Sequence, residues 1–446
     1  MGIVREFGVV ASFVLILCGC RKAEPLASST MQRIVTFDFN TYNAELLPSG
    51  GYVLQCMDRQ DGRLSFAQFL TSNGEMAGRI KYSTLPRTID GTTFTEGSIL
   101  IRDLVPLANG NYSILGAGLD TMENGTVALH LLVYTVDRNG NQMAEPLRRP
   151  VNTISSVQYA RSFTDDTVAI VKPHILGVEL ANHDIAAAVV FRMSDAPNDS
   201  IVLIRIPFGT SGAPASRIAF GPQTGNLEGG QDRLWEFQSH GTQSEHLLLL
   251  SGRNDPVLTE FDFGSSAITS VASGRLFGGN RMMSHFLAQE GDDILAGGIY
   301  YRPTATGSDA CPFFSAITDV ATLGDPDQYF FLDTLGPLDS PIQCFDGTWW
   351  SGNVALVTNT YRPQAATFTV DLFDYFNDTE NDLGLLLVSP ADGRILKQTT
   401  IVSGRGMRAT NLFNVDGRLI CIGVQNAFYN SEAKRTFFLE LKDPGQ

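Results

Sequence analysis

Basic residues are scarce: 32 Lys and Arg stand against 47 Asp and Glu, a net charge of −15. No stripe of Lys and Arg is long enough to follow a phosphate backbone, which excludes nucleic acid as a partner. The same acidity argues against broad electrostatic adhesion to anionic lipids. Tryptophan and histidine are few, at three and six. The histidines are dispersed, and His240 and His246 are six positions apart, a spacing that fits neither a helix face nor a common zinc site. They read as loop and strand polar residues. There is no HExxH, no GxSxG, no Walker-type loop, no dinucleotide glycine fingerprint and no paired CxxC. Sustained apolar stripes of helical period are missing too, which disfavours an α-helical fold.

Long apolar runs are also missing, with one exception at the start. Phe7 to Leu17 (FGVVASFVLIL) follows Arg5 and leads into Leu17-Cys18-Gly19-Cys20. This core is too short for the roughly 20 residues of a membrane-spanning helix, and it has the length of an export signal. The last four residues resemble a lipobox: an aliphatic residue, two small ones, then a cysteine that takes the lipid and becomes the new N-terminus. Leu17 is too bulky for the small-residue subsite before Cys18, so Cys20 is the expected lipidation site. An ordinary secretory signal cleaved near Ala23, or a short N-terminal anchor, is the alternative. Residues 1–19 are thus read as a lipoprotein signal peptide and 20–32 (ending RKAEPLASSTMQ) as a flexible tether. Arg21, standing where an inner-membrane retention Asp would be, favours the outer membrane.

Residues 33–446 repeat one theme seven times. A Gly-, Asp- or Asn-rich turn leads into a short apolar strand: GYVLQC (51–56), NYSILGAG (111–118), TVAIV (167–171), HLLLLSG (246–252), DILAGG (293–298), NVALVT (353–358) and RLICIG (418–423). A variable loop and a second apolar strand follow, beginning at Leu64, His130, Ile201, Val257, Phe313, Leu383 and Thr436. The unit is roughly 60 residues, a length that suits several strands per repeat. Asn73-Gly74, Asn139-Gly140, Asp392-Gly393 and Asp416-Gly417 are hairpin signals, because these residues tolerate the positive φ of tight turns. The fold class expected is all-β, a single β-propeller of seven blades, with six or eight as alternatives. Glycine closing the first strand in four of the seven units suits a crowded position near the ring's centre. A β-sandwich array needs about seven strands per 100 residues and fits the period less well.

The recurring turn-Gly-Tyr-Val-Leu and strand-Asn-Gly-Asn elements, with the start CRKAEP, resemble Bacteroidota lipoproteins carrying a divergent propeller domain. The resemblance spans most of residues 33–446 and implies an envelope location. SPADGRIL (389–396) resembles a strand-turn element of quinoprotein propellers, but Lys397 and Gln398 stand where the docking tryptophan would be, so no quinone site is carried over.

Four cysteines remain after the leader. The favoured reading is four small buried strand residues; as an exported chain permits disulfides, the competing one is that in a closed seven-unit ring Cys56–Cys421 joins the first and last units and Cys311–Cys344 the fifth and sixth. Asp371 to Asp382 packs five carboxylates and two amides into one loop, and Asp374, Asp378, Glu380 and Asp382 are candidate Ca²⁺ ligands, weighed against a plain solvated acidic loop. Asp137-Arg-Asn-Gly-Asn141 has its glycine too early for a calcium loop and reads as a hairpin turn. Trp349 and Trp350 would face opposite sides of a strand, so at most one lines a cleft and stacks on a sugar; otherwise they are core. The function expected is a lipid-anchored, non-catalytic binding or scaffold protein for a glycan, peptide or envelope-protein partner. The alternative is an extracytoplasmic hydrolase or lyase with carboxylates at the channel mouth.

Overall fold

The computed structural model describes residues 31–57, 64–95, 97–121, 126–155, 174–192, 199–207, 217–220, 234–240, 243–251, 256–264, 267–276, 282–304, 307–322, 329–332, 341–360, 382–402, 407–425 and 434–441. Strand β1 (Met31–Phe37) is set aside by the chain for the end of the fold. Blade one is β2 (Asn40–Leu46), β3 (Tyr52–Met57), β4 (Leu64–Leu70) and β5 (Met76–Lys81). A short hairpin of β6 (Thr88–Ile89) and β7 (Thr92–Thr93) follows, then blade two: β8 (Ile99–Pro106), β9 (Tyr112–Thr121), β10 (Thr126–Val136) and β11 (Leu147–Ser155). Blade three is β12 (His174–Glu179), β13 (Ile185–Arg192), β14 (Asp199–Ile206) and β15 (Arg217–Phe220). Blade four is β16 (Leu234–His240), β17 (Gln243–Ser251), β18 (Val257–Asp262) and β19 (Thr269–Arg275). Blade five is β20 (Met282–Glu290), β21 (Asp293–Thr304), β22 (Gly307–Ile317) and β23 (Tyr329–Phe331). Blade six is β24 (Pro341–Trp350), β25 (Asn353–Thr360), β26 (Asp382–Val388) and β27 (Ile395–Val402). Blade seven is β28 (Arg408–Val415), β29 (Arg418–Gln425) and β30 (Arg435–Leu441), completed by β1.

Each blade is a four-stranded antiparallel sheet, and the seven make a β-propeller. Both sheet faces of a blade must be buried, so the strands read as nearly continuous apolar runs, of which RLICIGVQ of β29 is typical. Each of the seven apolar clusters joins one pair of neighbouring blades. Blades one and two share Val53, Phe69, Ile114 and Leu132. At the closing seam, blades seven and one share Tyr52, Leu54, Ile420 and Phe438.

The seam explains the place of β1. It pairs with β30, Met31 opposite Leu441 and Phe37 opposite Thr436, so the first strand of the chain is the outermost strand of the last blade. The strands that the sequence marks as first and second of each unit are therefore the second and third of each blade. Six of those seven first strands coincide with β3, β9, β17, β21, β25 and β29. The seventh, TVAIV, lies outside the described residues, and β13 takes the position beside the IVLIRI strand.

Strand direction gives the ring two faces. Connections from first to second strands, such as 47–51, 107–111, 291–292 and 351–352, are tight and share one face with 71–75, 137–146 and 389–394. Eight of the ten described glycines at positive φ lie here: Gly50, Gly74, Gly110, Gly140, Gly291, Gly352, Gly393 and Gly417; Gly91 and Gly97 fall between blades one and two. We call this the turn face. The strand ends joined by 156–173, 221–233, 361–381 and 426–434 lie on the opposite, loop face.

Candidate functional site

The innermost strands β2, β8, β12, β16, β20, β24 and β28 surround the axis. Six of them carry a register slip, at Thr41/Asn43, Ile101/Asp103, Leu234/Glu236, Ser284/Phe286, Cys344/Asp346 and Ala409/Asn411. A bulge re-aims the residue after it, and here that residue is polar in five of six cases.

Three of these residues fasten one blade to the next. Asp103 Oδ2 accepts the backbone N–H of Gly177 in blade three at 2.7 Å. Asp346 Oδ2 accepts that of Leu412 in blade seven at 2.6 Å, and Asn411 Oδ1 accepts that of Ala44 in blade one at 2.8 Å. Asp103 Oδ1 also takes the N–H of Leu104 at 2.9 Å and the Gln55 amide at 2.7 Å, while Gln55 reaches Glu45 Oε1 at 3.2 Å.

Burial raises these carboxyls. Asp103 is pushed up to about 6 against the pull of its three donors, and Asp346 up to about 7 against the N–H groups of Leu412 and Gly347. Glu45 is raised first by burial and then by repulsion from Asp103. Glu236 is raised by burial, then by Asp346 and Asp103. Those three residues belong to blades four, six and two, so their repulsion acts across the axis. At the loop-face end, Tyr42, 47% exposed, meets His174 with Oη to Nε2 at 3.4 Å.

A second polar cluster lies on blade four. His246 Nδ1 and His240 Nδ1 both reach Glu260 Oε1, at 2.8 and 2.9 Å. Burial opposes ionisation of Glu260, but these two hydrogen bonds outweigh it and hold the carboxyl below its usual range. Six-residue spacing gave no hint of this, because the two histidines meet through a turn and across strands. Between blades three and four, buried Arg205 binds Asp184 at 2.7 Å, Glu245 at 3.0 Å and the carbonyl of Phe263.

The residues singled out from the sequence fall as follows. Cys20, Asp374, Asp378 and Glu380 lie outside the described residues, and Asp382 opens β26 opposite Thr360. Among the described residues, no three His, Cys, Asp or Glu side chains are placed to hold a metal ion. Trp349 and Trp350 do face opposite sides, and both are core: Trp349 between blades five and six, Trp350 between six and seven with its indole N–H on the Gly417 carbonyl at 2.9 Å. Neither is offered to a sugar ring. Cys56, Cys311, Cys344 and Cys421 are buried thiols with no bridge between them, so neither disulfide is formed. For Cys56–Cys421 the reason is strand alternation. Cys56 shares the seam core with Ile420 and Ile422, while Cys421 between them points the other way, toward blade six. Cys344 packs at the junction of blades five and six, and burial raises its thiol first, the nearby Cys311 next. The Asp137 segment is a turn, its carboxylate accepting the N–H groups of Asn139 and Asn141 at 2.8 and 2.9 Å.

No protein-family model matches the chain, and no curated protein matches it. Among solved structures it is similar to Raptor of Chaetomium thermophilum, at 9% identity and a TM-score of 0.46, over 93% of this chain and 30% of that one. The chain thus spans under a third of Raptor's length. It is also similar to the GH93 α-L-arabinofuranosidase of Fusarium graminearum bound to arabinobiose, at 10% identity and a TM-score of 0.37, over 78% of this chain and 94% of that one.

Proposed function

We propose that the protein is a non-catalytic binding or scaffold propeller of the cell envelope, held to a membrane by lipid on Cys20. Its loop face takes the partner, a glycan, a peptide or an envelope protein. The observation that supports this most is the use of the central polar groups: Asp103, Asp346 and Asn411 spend their oxygens on backbone N–H groups of neighbouring blades. They hold the ring together, and the variable connections on the loop face are where such a scaffold diversifies.

Glu45 and Glu236 support a second reading, a hydrolase or lyase. Both carboxyls are raised by burial, and among the described residues neither accepts a neighbouring blade's backbone N–H, so each is suited to hold a proton and pass it on. Two experiments separate the readings. Cross-linking and pull-down of the tagged chain from membranes should recover a stoichiometric partner for a scaffold. Turnover on a panel of polysaccharides and peptides that disappears in Glu236→Gln would replace the scaffold reading with the enzyme. For the anchor, Cys20→Ala should abolish acyl labelling and release the protein from membranes; unchanged labelling and fractionation would refute it.

A further inference from the structure

The two faces of the ring differ in where the chain arrives. β1 runs from the turn face to the loop face, and its first residue, Met31, pairs with Leu441 at the turn-face edge of blade seven. About eleven residues separate Cys20 from Met31, a reach of at most about 37 Å when fully extended. The seven residues of β1 climb about 23 Å from one face to the other. Bringing the loop face to the membrane would consume most of the tether merely in passing the blade's edge.

Exposed apolar side chains mark the same face. Six large ones are exposed among the described residues, and five lie at turn-face strand ends or turns: Leu46 closing β2, Met76 opening β5, Met143 between β10 and β11, Val271 near the start of β19 and Leu396 near the start of β27. Met76 is 64% exposed and Met143 53%. Single exposed apolar residues are ordinary on a soluble surface; here five of them stand on the face from which β1 rises.

We infer that the turn face is the surface that rests on the bilayer, an assignment that builds on the lipid anchor proposed above. Among the exposed charges of this face, Glu75, Glu145, Glu290, Asp292, Asp293, Asp392 and Asp416 outnumber Arg138, Arg394 and Lys397, so anionic headgroups do not attract it. The tether supplies the holding, and the short-range contact of Leu46, Met76, Met143, Val271 and Leu396 with the interface supplies the orientation. The loop face then points away from the membrane, toward its partner.

The test uses the acylated full chain in vesicles of phosphatidylethanolamine with a minor share of phosphatidylglycerol. An environment-sensitive fluorophore is placed on Met143→Cys, Leu396→Cys or Asp38→Cys; Asp38 is exposed on the loop face and the native thiols are buried. Blue-shifted emission and quenching by a bilayer-embedded quencher are expected at 143 and 396 and not at 38, and should persist in high salt. Flotation with the vesicles accompanied by quenching at 38, by equal signals at all three positions, or by loss of the difference in salt would overturn the face assignment alone. An unacylated Cys20 with no flotation would overturn the anchor and the face assignment together.

Discussion

Asp346 holds its proton more tightly in the folded protein than in the unfolded chain, because burial moves its carboxyl from 3.8 to about 7. A carboxyl raised in this way contributes stability that is fully present below its unfolded value and lost as the pH climbs through its folded one. The loss on going from pH 4 to 8 is on the order of 4 kcal/mol as an upper figure. Asp103 acts in the same direction over a narrower window that ends near 6. The melting temperature should therefore fall between pH 5 and pH 8, and Asp346→Asn should flatten that fall even if the substitution weakens the Leu412 hydrogen bond. A slope identical to wild type would mean that Asp346 titrates near its ordinary value. Little of this centre was legible in the sequence. Asp103, Glu236 and Asp346 lie in unremarkable strand text, and only ring closure brings blades two, four and six to face one another. The same holds for His240 and His246, which share Glu260 through pairing that spacing does not encode. Parity along a strand was legible where only one strand was involved, as at Trp349 and Trp350. It was not applied to Cys56 and Cys421, where the blades are adjacent but the two side chains face different cores, so the buried-thiol reading holds and the bridge does not.

Turns and strands were the most readable elements, because their chemistry is local. The four Asn-Gly and Asp-Gly pairs singled out as hairpin signals all form turns with the glycine at positive φ, and at Asp416-Gly417 both residues adopt it, at 52° and 78°. The second and third strands of the blades are the most buried and carry the strongest apolar signal; the outermost strands are mixed in burial and gave none. MAGRIK of β5 and TSVASGR of β19 are mostly exposed. Two turn glycines separate backbone freedom from close packing. Gly50 sits at φ +84 with nothing within 4 Å of where a Cβ would be. Gly74 sits at φ +73, and a Cβ there would lie 2.6 Å from the Phe438 ring of blade seven. Gly50→Ala should cost about 1 kcal/mol, the price of the left-handed conformation alone. Gly74→Ala should cost about 2–4 kcal/mol, since it also forces apart the packing of blades one and seven. Urea melts of the two variants give the comparison, and equal losses would show that Phe438 yields freely.

The whole ring depends on one strand borrowed from the start of the chain. In β1, Ile34 packs against the core between blades six and seven, and Val35 against the core between seven and one. The following turn is fastened as well: Thr436 donates its N–H and its hydroxyl to the Phe39 carbonyl, both at 2.8 Å, and its hydroxyl lies 2.7 Å from that of Thr41. β1 is the outer edge strand of blade seven, so removing it should open two cores at once and move the sheet's unpaired edge inward to β30. Deleting residues 1–37 is expected to lower the melting temperature by roughly 10 °C or more, several kcal/mol spread over a chain of this size. Loss of residues by itself is not the cause under this account, and a circular permutant distinguishes the two. Joining the chain after Leu441 to Met31 through a short turn keeps β1 beside β30, and new ends at the exposed Pro48-Ser49 turn leave every strand in place. That permutant should melt within a few degrees of the parent. If it melts as low as the deletion, the order of synthesis rather than the closing strand governs the ring; if the deletion melts like the parent, blade seven is stable with three strands and the closure carries no stability.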